Sequence, residues 1–416
     1  MKKVLYVILF LISCCSGLLA QGAPDHPITL QEALKLLQQN SPILAAGRLN
    51  AQSIQANEIT AYLRPNPVFS SANEDFNIFN PSKFDIANTQ EFTQNVSELW
   101  ERGGKRRKRL QSAQWATAIT KDLFADGQRA AELQVKLGFV SMLLAKADLA
   151  LAQDNLADYR RNIEANRLRL QAGDISQTDF DRIVVQESQF QTDLLNAQLA
   201  VNQARVQLEQ VIGLDDNPKF DIAGDLAQPS VVIDLDTLKQ DALAHRPDYI
   251  AARDTISKAQ ADVSLAYANG ATDFNIGGEY KRNGPDNTVG FTLQFPLRFF
   301  DKNQGEKLRT QRVLEASRFG EVAARLQVTS DVKQAYDAYQ TALTRSQLYT
   351  NDYLKRARSV RDNMEFSYRN GGANLLDYLD AVRSYRDVEV AARAAQAQLL
   401  SALHTLSFVT ATELLP

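Results

Sequence analysis

Apolar and polar residues alternate along short stretches in each half of the chain. The clearest is Val289–Leu297, where every second residue is apolar, and Phe274–Tyr280 shows the same alternation just before it. A period of two residues indicates a strand with one apolar face. Turn-forming residues lie between the two stretches, so together they predict a β-hairpin at about 273–297. A noisier equivalent predicts another hairpin at about 68–99.

Two much longer stretches lack proline and contain little glycine. They cover about 105–171 and about 303–370, and they are rich in Ala, Leu, Gln, Arg and Glu. Each predicts a continuous helix of roughly 100 Å at 1.5 Å per residue. The apolar positions form narrow stripes, which favours side-by-side packing in a bundle. Shorter helices are predicted at about 178–212 and about 375–410, each after a glycine-containing turn.

The two halves of the chain repeat the same residues in the same order. One set recurs at a single offset: Leu30, Pro42, Ala56, Ala61, Phe69 and Glu74 against Leu235, Pro247, Ala261, Ala266, Phe274 and Glu279. A second set recurs at its own offset: Gly173, Ser176, Asp179 and Phe180 against Gly371, Asn374, Asp377 and Tyr378. Constant spacing indicates a tandem duplication. We therefore predict two repeats, 28–213 and 234–411.

The first residues have the layout of a leader for export. Two lysines precede the apolar run Val4–Ile12, and small residues follow, which predicts a signal peptide at 1–20. An alternative is a lipoprotein leader at 1–13, after which Cys14 becomes the acylated first residue. Both cysteines of the chain, Cys14 and Cys15, lie within residues 1–20. No later run is apolar enough for a spanning helix, so the mature chain is expected to have none.

Composition and charge exclude several classes of function. The 46 Lys and Arg residues nearly balance the 49 Asp and Glu residues, which disfavours a nucleic-acid partner. Phosphate-binding loops, a nucleophile elbow and any other catalytic constellation are absent from the sequence, so an enzyme is not expected. The three histidines have no ligand-like spacing, and we predict neither a metal site nor a cofactor.

Strands with one apolar face in an exported chain require a closed sheet. In hydrocarbon, an unpaired strand edge leaves backbone groups without hydrogen bonds, so the sheet must close into a barrel. Single-chain barrels begin at about eight strands. Four strands must therefore close by assembly of several chains, a requirement that more than one number of chains meets, with the helices continuing the barrel into the periplasm.

Three segments carry a family resemblance that covers both repeats. Leu99–Arg106 and Tyr368–Ala381 resemble the TolC family of outer-membrane efflux proteins, and Phe295–Glu306 resembles its heavy-metal branch, the CzcC-like and CusC-like proteins. The resemblance implies a mainly α-helical homotrimer with a twelve-stranded outer-membrane β-barrel continued by a long α-helical periplasmic tunnel. It further implies outer-membrane lipid, a periplasmic adaptor protein and an inner-membrane resistance-nodulation-division pump as partners, with heavy-metal cations as the expected cargo.

The resemblance also assigns candidate site residues, all near the turns at the end of the long helices. The turns expected to dock the adaptor contain Gly173, Asp174, Ser176, Gly371, Gly372 and Asn374. Ala373 stands where the best-known members carry arginine, which removes one charged link. The same residues also suit simple helix–turn–helix connections.

Two further sets are predicted next to these turns. Asp377 and Asp380 lie three residues apart on one helix face, so trimer symmetry would stack them into two acidic rings at a channel constriction. A lone pair of this spacing is more often a solvated helix face. Tyr368, Asp179 and Thr178 match positions that hold the mouth of the tunnel closed in the family, with a Tyr368–Asp179 hydrogen bond expected.

A run of five basic residues, Lys105–Arg109, follows the first hairpin. In an exported chain it predicts a basic collar at the inner membrane interface, with Trp100, Phe299 and Phe300 as an aromatic belt. Two alternatives to metal efflux stay open. One is the same duct used for drug efflux or type I secretion, and the other is a structural coiled-coil surface protein.

Overall fold

The structure is a computed structural model that describes residues 27–75, 90–214, 220–226 and 233–415. The predicted leader with Cys14, and the loop of the first hairpin, lie outside these residues. The first half contains α1 (Leu30–Asn40), α2 (Pro42–Tyr62), β1 (Val68–Glu74), β2 (Glu91–Trp100), α3 (Lys105–Ala172) and α4 (Gln177–Ile212). The second half contains α5 (Leu235–His245), α6 (Pro247–Asn269), β3 (Phe274–Asn283), β4 (Asp286–Gln294), α7 (Gln304–Leu348), α8 (Leu354–Arg369) and α9 (Leu375–Thr410).

The second long helix differs from its prediction in one respect. Between α7 and α8 the segment Tyr349–Tyr353 forms a π-helical turn, so the predicted single helix consists of two α-helices joined without a break in the helical path. A π-turn changes the hydrogen-bond register by one residue, and composition does not reveal such a change. Among the helices that the structure describes, none combines the length and hydropathy of a membrane span.

The chain forms two compact units. One, here called the sheet unit, contains the described residues within 47–126 and 247–327. The other, called the helical unit, contains the described residues within 27–46, 127–246 and 328–415.

The sheet unit contains one antiparallel sheet in the order β1-β2-β3-β4. Phe69, Val96, Gly278 and Phe291 lie in one row across all four strands, on a face whose apolar side chains are largely exposed. The opposite face is polar. There a side chain on Gly277 would place its Cβ 2.7 Å from the Thr292 hydroxyl, so glycine is required for close packing.

The core of the helical unit joins four segments. Leu37 of α1, Val135 of α3 and Leu208 of α4 are fully buried, and Ile28 joins them by a parallel backbone bridge to Ile222. A second buried cluster lies at the far end of the long helices. It contains Leu156, Tyr159, Ile163, Ile183, Phe190, Tyr368, Leu375 and Tyr378. This cluster positions the turns that the sequence singled out.

Candidate functional site

The first of these turns joins α3 to α4. Gly173 adopts a left-handed conformation with φ of 83°, and the amide of Asp174 donates to the carbonyl of Arg169 at 2.9 Å. Ser176 then caps α4, because its hydroxyl accepts from the amide of Asp179 at 3.1 Å and donates to the Asp179 carboxylate at 2.8 Å. The turn thus satisfies the free backbone groups of both helix ends.

The second turn joins α8 to α9 in the same way. Gly371 is left-handed with φ of 73°, and the amide of Gly372 donates to the carbonyl of Ser367 at 2.8 Å. The Asn374 side chain caps α9 by accepting from the amide of Asp377 at 2.9 Å. Local helix-end chemistry therefore explains the residue types of both turns, and their docking role stays a prediction.

The structure brings three predicted site residues into one groove between α4 and α9. Thr178, Asp377 and Asp380 line this groove of about 720 Å³, and all three residues are exposed in the single chain. Arg182 and Arg383 line it as well. Sequence reasoning missed both arginines, although each follows an aspartate by three residues, a spacing that makes helical neighbours. The groove thus carries charges of both signs.

Tyr368 has a different hydrogen-bond partner from the one expected. Its side chain is buried, and its hydroxyl donates to the Asn166 side-chain oxygen on α3 at 3.2 Å. The Asp179 carboxylate instead accepts from Ser176 and lies 3.8 Å from the Arg182 guanidinium. Within the chain, the Tyr368 hydroxyl thus donates to Asn166 and not to Asp179, and the role of Tyr368, Asp179 and Thr178 in closing the mouth stays a prediction.

In the part of the chain that the structure describes, no three His, Asp or Glu side chains come close enough together to hold a metal ion. His404 is buried within α9, and burial lowers its pKa to about 4.

Comparisons with known proteins agree with the predicted family. Residues 238–412 match the family model of the outer membrane efflux protein. The cobalt-zinc-cadmium resistance protein CzcC of Cupriavidus metallidurans is 25% identical over 364 residues, which are 86% of this chain and 84% of that protein. Most of the second repeat of this chain is thus similar to outer membrane efflux proteins. The predicted resemblance to outer-membrane efflux proteins and the predicted outer-membrane location, extending into the periplasm, are thereby confirmed.

Solved structures with low sequence identity share the fold of this chain. A crystal structure of CusC matches with a TM-score of 0.78 at 16% identity, covering 94% of this chain and 95% of that chain. The open state of the Neisseria gonorrhoeae MtrE outer membrane channel matches with a TM-score of 0.76 at 16% identity, covering 96% and 94%. These relatives are channels and not enzymes.

The side chains of the basic run Lys105–Arg109 mostly contact other residues of the sheet unit. Lys105 is buried, and its ammonium lies 2.5 Å from the Asp273 carboxylate. Arg109 donates to the Glu101 carboxylate at 2.9 Å. Arg107 alone of the five is an exposed residue. Two cations of the predicted basic collar thus form ion pairs that fix the start of α3 beside the sheet, and the collar itself stays a prediction.

Proposed function

We propose that this chain is the outer-membrane duct of a tripartite efflux system and passively conducts heavy-metal cations. The cations would be delivered by an inner-membrane resistance-nodulation-division pump through a periplasmic adaptor protein. The duct itself would be a homotrimer, with a twelve-stranded barrel in the membrane and a helical tunnel below it. The observation that carries the proposal is the similarity to a cobalt-zinc-cadmium resistance protein along most of both chains.

The single-chain sheet supports assembly into a larger barrel. Its order leaves β1 and β4 at the two edges, and its apolar face carries exposed side chains such as Val289, which is 86% exposed. A lipid-facing surface needs such side chains, and hydrocarbon does not tolerate open edges. Pairing β4 of one chain with β1 of the next would remove both edges, and three chains would give twelve strands.

The groove at the helical tips supports selection of cations. In a trimer, Asp377 and Asp380 would each occur three times at one level and create a local negative potential. Bulk salt screens such a potential incompletely in a confined pore. Arg182 and Arg383 line the same groove and would moderate the potential.

Planar-bilayer recordings of the purified protein test the constriction. The double variant Asp377→Asn/Asp380→Asn should shift the reversal potential in a salt gradient towards that of an unselective pore, because six carboxylates would be lost from a trimer. A matched control is Asp154→Asn/Asp158→Asn, which removes the same charge from exposed positions on α3. Unchanged selectivity in the Asp377/Asp380 variant, or an equal change in the control, would contradict the constriction.

Growth of a host strain lacking its own copy tests the cargo. Expression of the wild type should restore growth on cobalt, zinc, cadmium or copper salts and leave susceptibility to organic antibiotics unchanged. Restored antibiotic resistance without metal resistance would instead support the drug-efflux alternative.

A further inference from the structure

A cavity of about 500 Å³ lies in the sheet unit where β2 passes into α3. Its walls come from three segments: the residues after α2, the end of β2 and the first turn of α3. Three arginines line it, Arg64, Arg106 and Arg107, here called the arginine triad, together with Glu98 and Trp100. Ligand sites in proteins commonly measure about 300–1,000 Å³, so the cavity has room for a small polar group.

Contacts within the sheet unit hold two members of the triad in place. The Arg106 guanidinium lies 4.9 Å from the centre of the Tyr62 ring, a cation–π contact that leaves its in-plane N–H groups available. A Cβ on Gly104 would lie 3.9 Å from the Arg107 guanidinium, so this group lies beside the turn before α3. Guanidinium groups that are already positioned lose less side-chain entropy when they bind an anion.

Most other cations around this cavity are neutralised within the chain. Lys105 and Arg109 form ion pairs with carboxylates, and the Lys108 ammonium donates to a backbone carbonyl at 3.1 Å. Among the residues that the structure describes, no carboxylate forms an ion pair with any member of the triad. Of the two lining glutamates, Glu101 is paired with Arg109 and Glu98 has no such partner. Three arginines against one free carboxylate leave an excess of two positive charges, which favours an anionic ligand.

The aromatic wall indicates the depth of the cavity in the membrane. Trp100 is 67% exposed and lies four residues after Val96, on the same face of β2. That face carries the exposed apolar side chains that would face lipid in the proposed barrel. Tryptophan prefers the boundary between hydrocarbon and headgroups, and α3 begins directly beyond it. The triad would therefore lie at the level of the phosphates of the leaflet that faces the periplasm.

We propose that this cavity binds the phosphate headgroup of an anionic phospholipid. The proposal rests on the proposed function, in which the apolar face of the sheet contacts the outer-membrane hydrocarbon. The triad donates to the phosphate oxygens, for which arginine is suited because its planar fork binds two oxygens at once. Leu99 and Trp100, which line the cavity, contact the glycerol and the first acyl carbons. Glu98 repels the phosphate and weakens the binding.

Native mass spectrometry of the purified full-length protein measures this binding. Delipidated protein in detergent is titrated with phosphatidylglycerol, and the apparent dissociation constant is read from the bound fraction. Arg64→Gln/Arg106→Gln should raise this constant about 25-fold, at about fivefold for each basic residue that meets an anionic lipid. The matched control Arg48→Gln/Arg318→Gln removes the same charge from exposed positions of the sheet unit and should bind like the wild type.

A change of opposite sign separates the lipid site from a general loss of structure. Glu98→Gln removes the repelling carboxylate, so it should tighten phosphatidylglycerol binding by about fivefold. Trp100→Ala should weaken lipid binding and leave the binding of inorganic phosphate, measured by calorimetry, unchanged. If the site instead serves free phosphate, inorganic phosphate would bind as tightly as the lipid and Trp100→Ala would affect neither, which would overturn the lipid assignment.

The lipid site and the duct fail on different measurements. Unchanged phosphatidylglycerol binding in the arginine variant, or equal weakening in the control, would refute the site. Equally tight binding of phosphatidylethanolamine would refute its preference for anionic lipids. Planar-bilayer recordings of the wild-type protein test the duct separately. If the wild type conducts ions and the triad binds no lipid, only the lipid site is refuted, whereas wild-type trimers that conduct no ions would refute the proposed function.

Discussion

The Lys105–Asp273 ion pair lies at the start of α3, and we expect its two partners to differ in how much stability is lost when each is replaced. The Lys105 side chain is 6% exposed, and its ammonium contacts the Asp273 carboxylate at 2.5 Å and the carbonyl of Ala271 at 2.9 Å. The Asp273 side chain is 20% exposed and also accepts from the backbone amide of Arg102 at 2.9 Å. The lysine is therefore the more buried partner, and its charge is the one that would be left unpaired in the interior if the carboxylate were removed.

Removing the carboxylate should destabilise the sheet unit more than removing the ammonium. In Asp273→Asn, one of the two carboxylate oxygens becomes an NH₂ group that faces a donor, and the buried ammonium loses its counter-charge. Leaving a buried charge without its partner costs about 3 kcal/mol. Lys105→Met keeps the apolar stem and leaves a more exposed carboxylate with one amide donor, so about 1–2 kcal/mol is expected.

Thermal unfolding of the purified proteins in detergent, followed by circular dichroism, measures how much stability each variant loses relative to the wild type. Burial acts to raise the pKa of Asp273, but the hydrogen bonds from Lys105 and the Arg102 amide lower it below its ordinary value. Its contribution is therefore complete above about pH 4, the ordinary carboxyl value, and is lost as pH falls through the lowered pKa. Equal losses in the two variants, or a larger loss in Lys105→Met, would refute this reasoning.

Two further predictions concern the helical unit. Burial, with a smaller effect of Lys136, lowers the pKa of His404 from 6.5 to about 4, so the unfolded chain binds a proton first as pH falls. Stability should therefore decrease between about pH 6.5 and 4, by about 3 kcal/mol at most, and a His404→Gln variant should flatten this slope in urea unfolding curves. Gly213 caps α4 with φ of 83°, and a Cβ there would lie 2.8 Å from the Asn40 carbonyl oxygen. Gly213→Ala should lower the free energy of unfolding by about 1–3 kcal/mol, whereas Gly127→Ala, inside α3 with open space around it, should raise it by about 0.5–1 kcal/mol.

The regular elements could be predicted because their signals are local. Alternation along Val289–Leu297 predicted a strand, and the absence of proline over about 105–171 predicted the long helix that the structure places at Lys105–Ala172. The burial of Lys105 could not be predicted in this way. Its partner, Asp273, is far along the chain, and a run of basic residues is usually a solvated surface.

In the candidate site, too, the features set by local sequence could be predicted, and the contacts between distant segments could not. The glycine turns and their capping residues follow from local backbone chemistry, so the sequence predicted where the tips lie. The acceptor of Tyr368 does not follow from local chemistry. Asn166 lies in a polar stretch of α3, and only the packing of α3 against α8 makes it a buried acceptor.

The two repeats can be compared with each other at the start of α4 and of α9. The comparison distinguishes acidic residues that cap a helix from acidic residues that only add charge. Asp179 and Asp377 occupy equivalent positions, and each donates its backbone amide to the preceding cap residue. One turn later the repeats differ, because Arg182 in the first repeat corresponds to Asp380 in the second. Arg182 lies 3.8 Å from Asp179 and neutralises it, whereas Asp380 adds a second negative charge on the face of Asp377. Capping involves only the first turn of a helix and therefore explains Asp179 and Asp377 but not Asp380. The acidic ring of Asp377 and Asp380 in the second repeat stays a proposal, and Asp380 is the residue on which it depends.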